Sequence, residues 1–372
     1  MASISLIKHL KGLPDPRLER TKRHQLLDIV TIAICAALSG CDEWTHVEAF
    51  GRENLAWFKR FLALPHGIPS HDTFGRVFRL LDPKAFEAQF RAWTQAVRET
   101  LGTTVAVDGK TVCGSQDTAL GKAGIHLVSA WACENRLVLG QVKTEEKSNE
   151  ITAIPELLRV LALKGCLVTI DAMGCQVEIA RTIVERGADY LLAVKANQGT
   201  LLEDIQQEFQ AAQAQDFAHL TYTYHKTQEK NRGRIEVREC WCTPDVDGID
   251  PQGRWAKLSG MVMCRSTRTV KDTVETKTRY YITSRKGLDA QTALSAVRAH
   301  WGIENQLHWV LDTAFGEDAS RVRKDHAPEN MALVKRWALN LLRADQDTKG
   351  SVKAKRLRAG WNKDYLLKLL TG

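Results

Sequence analysis

The chain has 372 residues and nine cysteines, yet no C-x-x-C pair. That removes a common sequence sign of a zinc or redox site. Most of the nine lie inside apolar runs, the pattern of reduced, buried thiols in a cytosolic protein. Cys240 and Cys242 flank Trp241 and read as packing residues on a strand. No signal-peptide pattern is recognised. The apolar stretch LLDIVTIAICAALSGC at 26–41 is short and carries Asp28, so it reads as a core helix and no membrane association is expected. Repeats and low-complexity tracts are lacking too. What is present is ordinary for a globular protein, with 44% hydrophobic and 26% charged residues. The length suffices for two or three domains.

Charge is plentiful but uneven. The net charge is +8, and residues 320–372 hold 13 Lys/Arg against 5 Asp/Glu. Residues 1–100 hold 14 against 11, which leaves the middle at −3. A basic end beside a mildly acidic middle suits a polyanion-binding arm on a metal-binding body. The plainer reading is a solvated helical surface.

Residues 1–95 read as helical. Within them, LPHGIPSHDTFGRVFRLL at 64–81 joins a Pro/Gly turn, a Ser70 or Asp72 cap and a short amphipathic helix. With Arg76 and Arg79 exposed, this resembles a DNA-reading element; an ordinary helical hairpin fits equally. From 104 to 195 the pattern becomes β-β-β-α-β-α-β, which indicates a mixed α/β sheet with helices on both faces. Residues 217–290 carry several β-rich runs and read as an insertion. Two basic amphipathic helices close the chain.

Chemistry concentrates at three acids. TVAVDGK at 104–110 and CLVTIDA at 166–172 are apolar, β-branched runs ending in Asp108 and Asp171. Glu304 lies on the helix-like stretch RAHWGIENQLHW at 298–309. Burying a carboxylate is costly unless it is paired or bound to metal. Two aspartates at adjacent strand ends and a glutamate on a covering helix suit a pair of Mg²⁺ ions, hence an enzyme that cuts and joins nucleic acid. Spacing of i, i+4 puts His300, Glu304, His308 and Asp312 on one helix face. A zinc site of His-x3-Glu-x3-His type is the lesser reading of that face. Glu317 and Asp318 are rival third acids beyond the expected helix end. Candidate phosphate contacts are Arg76, Arg79, Lys110, Lys195, Asn197, Arg298, His300, His308, Arg321, Arg323 and Lys324. For each of these, an unspecific surface role is the alternative.

At this point the chain resembles bacterial insertion-sequence transposases of the DDE type, in the branch that includes the H-repeat-associated proteins. The resemblance covers nearly the whole chain. It rests on DPRLERTKRHQLLDIVTIAICAALSG at 15–40, LPHGIPSHDTFGRVFRLLDP at 64–83 and AVDGKTVCGS at 106–115. VTIDAMGCQ at 168–176, LLAVKANQGTL at 191–201 and RAHWGIENQLHWVLDTAFGEDASRVR at 298–323 complete it.

The resemblance implies an RNase H-like catalytic domain at 101–344 with a β-rich insertion at about 217–290. A helical, DNA-binding domain would occupy 1–100 and a basic helical tail 345–372. It implies Asp108, Asp171 and Glu304 as catalytic metal ligands for two Mg²⁺ or Mn²⁺ ions. It implies double-stranded DNA as partner, at terminal inverted repeats and at a target, within a homodimer or higher complex. The expected place is the bacterial cytoplasm, at the nucleoid when on DNA. Related transposases carry Tyr-x2-Arg-x3-Glu-x6-Lys around the Glu. Here Val297, His300 and Leu311 replace its Tyr, Arg and Lys, so phosphate contacts must come from elsewhere, such as His308 or Arg321. An RNase H-like nuclease without transfer activity and a catalytically silent DNA-binding descendant are the alternatives.

Overall fold

The computed structural model describes residues 5–97, 104–117, 121, 123–144, 150–231 and 233–371, with backbone alone at Ser5. The first helices are α1 (Ser5–Leu10), α2 (Leu26–Leu38), α3 (Trp44–Glu53), α4 (Leu55–Phe58), α5 (His71–Leu80) and α6 (Pro83–Val97). α2 is buried at all but one of its positions, the core helix that its short apolar run suggested. Its acid, Asp28, accepts a hydrogen bond from the Leu64 N–H at 3.1 Å. The turn before α5 places Leu64 and Gly67 at positive φ, and the Ser70 side chain caps the helix at Thr73 N. Trp44 packs on Phe74 and Phe78, so the inner face of α5 is sealed and its Arg76 and Arg79 face outward.

Next come β1 (Thr104–Thr111), β2 (His126–Ala132), β3 (Leu137–Thr144), α7 (Glu150–Val160), β4 (Leu167–Ile170), α8 (Val177–Glu185) and β5 (Asp189–Val194). That is the β-β-β-α-β-α-β order expected from periodicity. After α9 (Gly199–Ala214) follow β6 (Thr223–Asn231), β7 (Arg234–Thr243), β8 (Gly260–Val270) and β9 (Thr273–Thr283). Among the described residues these strands form one sheet, in the order β3-β2-β1-β4-β5-β9-β8-β7-β6. β1, β4 and β5 run parallel, and the neighbouring pairs outside them are antiparallel. The β-rich stretch is therefore no separate module. Antiparallel pairing of Leu191–Val194 with Tyr280–Thr283 continues the central sheet into it.

Alternation along β1 splits the core. Val105 and Val107 pack with α7 and α8 on one face, whereas Ala106 joins Trp131 and Val138 on the other. That second face is covered by α10 (Ala290–Gly302), a π-helical turn (Ile303–His308), α11 (Trp309–Phe315) and α12 (Ala327–Ala344). α13 (Val352–Trp361) and α14 (Lys363–Thr371) end the described chain. Among the described residues no helix is long and apolar enough to cross a membrane.

The basic C-terminal segment is not a free arm. Leu366, Leu369 and Leu370 of α14 share one core with Leu6 of α1, Ile29 of α2, Phe90 of α6 and Trp337 of α12. Lys335, Arg336, Lys355 and Arg356 are buried. Arg321, Lys324, Lys349, Lys353, Arg358 and Lys368 keep the surface character that the composition suggested for the whole segment.

Candidate active site

Asp108 and Asp171 reach one cleft because β1 and β4 are parallel neighbours. Their pairing runs from Thr104–Leu167 to Val107–Ile170, so each aspartate is the first residue beyond it. Asp171 does follow the end of its strand. Asp108 does not end β1, which continues to Thr111 because β2 stays paired with it. Beyond Asp171 the chain turns sharply. The Asp171 carboxylate accepts hydrogen bonds from the N–H groups of Met173 and Gly174 at 3.1 and 3.3 Å. A Cβ at Gly174 would lie 2.3 Å from Ile170.

Glu304 lies on the π-helical turn between α10 and α11. Such turns widen the helix and re-aim side chains. Here His300 meets Thr169 at 3.1 Å, Glu304 lines the cleft, and His308 Nδ1 lies 3.6 Å from Asp108. The cleft is about 200 Å³, walled by Asp108, Asp171 and Glu304 together with Lys195, His300, Arg279 and Trp301.

The electrostatics are those of crowded acids. Burial pushes Asp108 up to about 7; Asp171, Glu150 and Glu304 add repulsion against the lowering effect of the Gly109 N–H. Burial pushes His308 down to about 3, helped by Arg336 and Lys110. His308 is thus a neutral imidazole at pH 7, and its Nε2 is buried without a hydrogen-bond partner. Burial also lowers His300.

Oxygen donors of this kind suit Mg²⁺ or Mn²⁺. Among the described residues no three His, Cys, Asp or Glu side chains are close enough to hold an ion between them. The His-x3-Glu-x3-His pattern therefore lacks the closed ligand set of a zinc site. An open set fits Mg²⁺, which takes one or two carboxylates and completes its shell with water and substrate phosphate.

The other expected residues divide. Lys195 stands exposed at the cleft. Asn197 donates to the Ala172 carbonyl at 2.7 Å and so braces the Asp171 turn. Arg298 pairs with Glu229 at 2.7 Å. Arg323 donates to the Gly114 carbonyl at 3.2 Å, while Arg321 and Lys324 are exposed. Arg79 pairs with Asp325 at 2.8 Å. Arg76 lines a separate basic cavity with Arg17, Arg23 and Arg52, of about 680 Å³. Lys110 and His308 point elsewhere than expected. Lys110 is enclosed by Asp312 at 2.7 Å, Asp318 at 2.8 Å and Glu317 at 3.7 Å. His308 is buried facing Asp108. Glu317, one of the rival third acids, is buried against Arg336 at 2.7 Å.

Arg279 and Trp301 were not singled out from the sequence. Arg279 lies 5.5 Å over the Trp301 ring at the cleft. Its position follows from β9 pairing with β5, which no local pattern reveals.

Two family models match the chain: "DDE_Tnp_1-associated" over residues 7–94 and "Transposase DDE domain" over 99–341. The protein named "Putative transposase YncI" of Escherichia coli O157:H7 is 44% identical, covering 100% of this chain and 95% of its own. The "H repeat-associated putative transposase YhhI" of Escherichia coli K12 is 37% identical, covering 99% and 98%. This chain belongs to the bacterial DDE transposase family. Among solved structures, a piggyBac transposase synaptic complex with hairpin DNA aligns at a TM-score of 0.40 and 11% identity, covering 99% of this chain and 76% of that one. That likeness is too low to argue from. In this DDE family member Val297 and Leu311, the two apolar departures from the Tyr-x2-Arg-x3-Glu-x6-Lys pattern, are both core residues.

Proposed function

We propose that this protein is a DNA transposase that binds the ends of an insertion sequence and performs metal-dependent strand cleavage and strand transfer, on an RNase H-like core. The observation that carries the reading is the meeting of Asp108, Asp171 and Glu304 at one cleft in a chain of this family. These three carboxylates are the catalytic, metal-holding residues. Mg²⁺ or Mn²⁺ held by Asp108, Asp171 and Glu304 would activate a water or a 3′-hydroxyl and stabilise the leaving oxygen. Lys195 and Arg279 line the same cleft and are the phosphate contacts there. His308 faces Asp108 from 3.6 Å without neutralising it, and Asn197 braces the Asp171 turn.

The helical region at 1–100 recognises the ends, with Arg76 and its basic cavity as the contact. Exposed Arg321, Lys324, Lys353 and Arg358 give a sequence-independent grip. The working form is a homodimer or larger complex on DNA in the bacterial cytoplasm. Deleting residues 1–95 would strip the shared core of α12–α14, so end recognition is tested by point substitution at Arg76. Loss of end-specific binding with retained salt-sensitive binding is expected.

The deciding experiment incubates the purified protein with Mg²⁺, a labelled duplex carrying an element end, and a second DNA. End cleavage and joining that vanish in Glu304→Gln are expected. Specific binding with no cleavage by either protein overturns the reading in favour of a silent descendant. Cleavage without joining favours a nuclease.

A further inference from the structure

Behind Asp108, on the opposite face of the sheet, lies a buried pair that the preceding reading leaves unused. Side chains alternate along β1, so Asp108 faces the cleft while Gly109 and Thr111 face α7. His126, paired with Thr111 across β1 and β2, is 2% exposed, and Glu150, the first residue of α7, is 5% exposed. His126 Nε2 and Glu150 Oε1 are 2.5 Å apart. His126 Nδ1 is 2.8 Å from the Thr111 hydroxyl. The pair presses on the backbone beside Asp108. A Cβ at Gly109 would lie 2.3 Å from Glu150 Oε1 and 2.4 Å from His126 Nε2. Only glycine lets the pair approach this closely.

We propose that His126 and Glu150 are positioning residues for Asp108: they seat the Asp108–Gly109 peptide from behind and place a buried carboxylate on the far side of the strand from the cation site. This rests on the reading of the cleft as a metal centre. Two features of the geometry support it. The hydrogen bonds of His126 run to Thr111 on one side and Glu150 on the other, so the imidazole fixes the carboxylate to the strand that carries Asp108. Glu150 also lies directly against the residue that follows Asp108, since its Oε1 would be 2.3 Å from a Cβ at Gly109. A buried carboxylate behind a ligand strengthens the field that holds a cation, and groups in that position orient the ligand itself. A pair serving only to fasten α7 to the sheet would do neither.

The test is Mn²⁺ titration of the full chain without DNA, followed by electron paramagnetic resonance, with thermal melting alongside. Asp108→Asn defines the signal that belongs to the cleft. Glu150→Gln retains the shape and a hydrogen bond to His126 but removes the charge. It is expected to weaken the Asp108-dependent site by about 10–100-fold, the range for changes directly behind a metal ligand. Unchanged affinity in a folded Glu150→Gln overturns the proposal. If that variant does not fold, Gly109→Ala decides: it keeps both groups and pushes them off the strand. The same loss supports the proposal, and unchanged affinity overturns it. If neither folds, the pair belongs to folding alone and the proposal is overturned. If the wild type has no Asp108-dependent Mn²⁺ site, the metal-centre reading fails first and takes this inference with it.

Discussion

At Asp108, burial and repulsion act in the same direction, and a bound cation would relieve both. In metal-free buffer Asp108→Asn is expected to be more stable than wild type, by on the order of 1 kcal/mol. Adding Mg²⁺ should raise the melting temperature of the wild type and leave the variant unmoved; equal responses would remove Asp108 from the ligand set. The Glu317–Arg336 pair behaves oppositely. Both groups are buried and 2.7 Å apart, so Arg336→Leu strands a carboxylate and should cost about 3–5 kcal/mol in urea unfolding. The acids of the cleft were legible because each aspartate ends an apolar, β-branched run. The fate of Lys110 was not. D-G-K gives no sign that Asp312 and Asp318 will arrive from 202 and 208 positions away to enclose it. D-G-K reads locally as a turn, yet β1 runs on through Gly109 to Thr111, and nothing local names the groups that press on it.

Elements meet at a few polar contacts whose strength is open to measurement. α6 packs Glu87 against β3, where a Cβ at Gly140 would lie 2.8 Å from its carboxylate. Burial pushes Glu87 up to about 7 despite the nearby Arg91. An unfolded glutamate titrates at about 4.3. The folded state therefore holds this proton more tightly, and the stability it contributes is full below that value and lost as pH rises through about 7. Glu87→Gln should match wild type near pH 4 and exceed it at pH 8 by about 1–3 kcal/mol, read from urea unfolding at both. α13 is tied to the rest by Arg356, which donates to the Ala37 carbonyl at 2.9 and 2.7 Å and to Asp42 at 2.7 Å. It also donates to the Ala314 carbonyl and stacks 4.1 Å over Phe315. Arg356→Ala is expected to cost about 2 kcal/mol or more. Faster hydrogen exchange should appear in α13 and α14 before it reaches the sheet. The alternation of strands and helices from 104 to 195 was plain in the sequence because period and length differ so clearly. The joining of the β-rich stretch to the sheet was hidden, since Leu191 pairs with Thr283 and no local rule links them.

For the whole molecule, net charge was a poor guide to which cations reach solvent. Four basic residues of the C-terminal segment are interior, and amphipathic spacing alone does not separate an arginine that reaches water from one that reaches a carbonyl. Exposed Arg321, Lys324, Lys353 and Arg358 should each, when neutralised, lower the salt dependence of DNA binding by about one unit of slope. Lys335→Gln, buried in α12, should leave that slope unchanged. The shared core has a further consequence. Leu6 and Leu370 belong to the same apolar cluster, and α1 touches α14. During synthesis α1 can meet α2 and α6 early, but its contact with α14 waits until the ribosome has passed Leu370. A gene copy interrupted anywhere upstream of that codon yields a product that cannot close its helical layer, whatever carboxylates it still encodes. The fold thus makes translation to near Leu370 a condition of a complete helical layer.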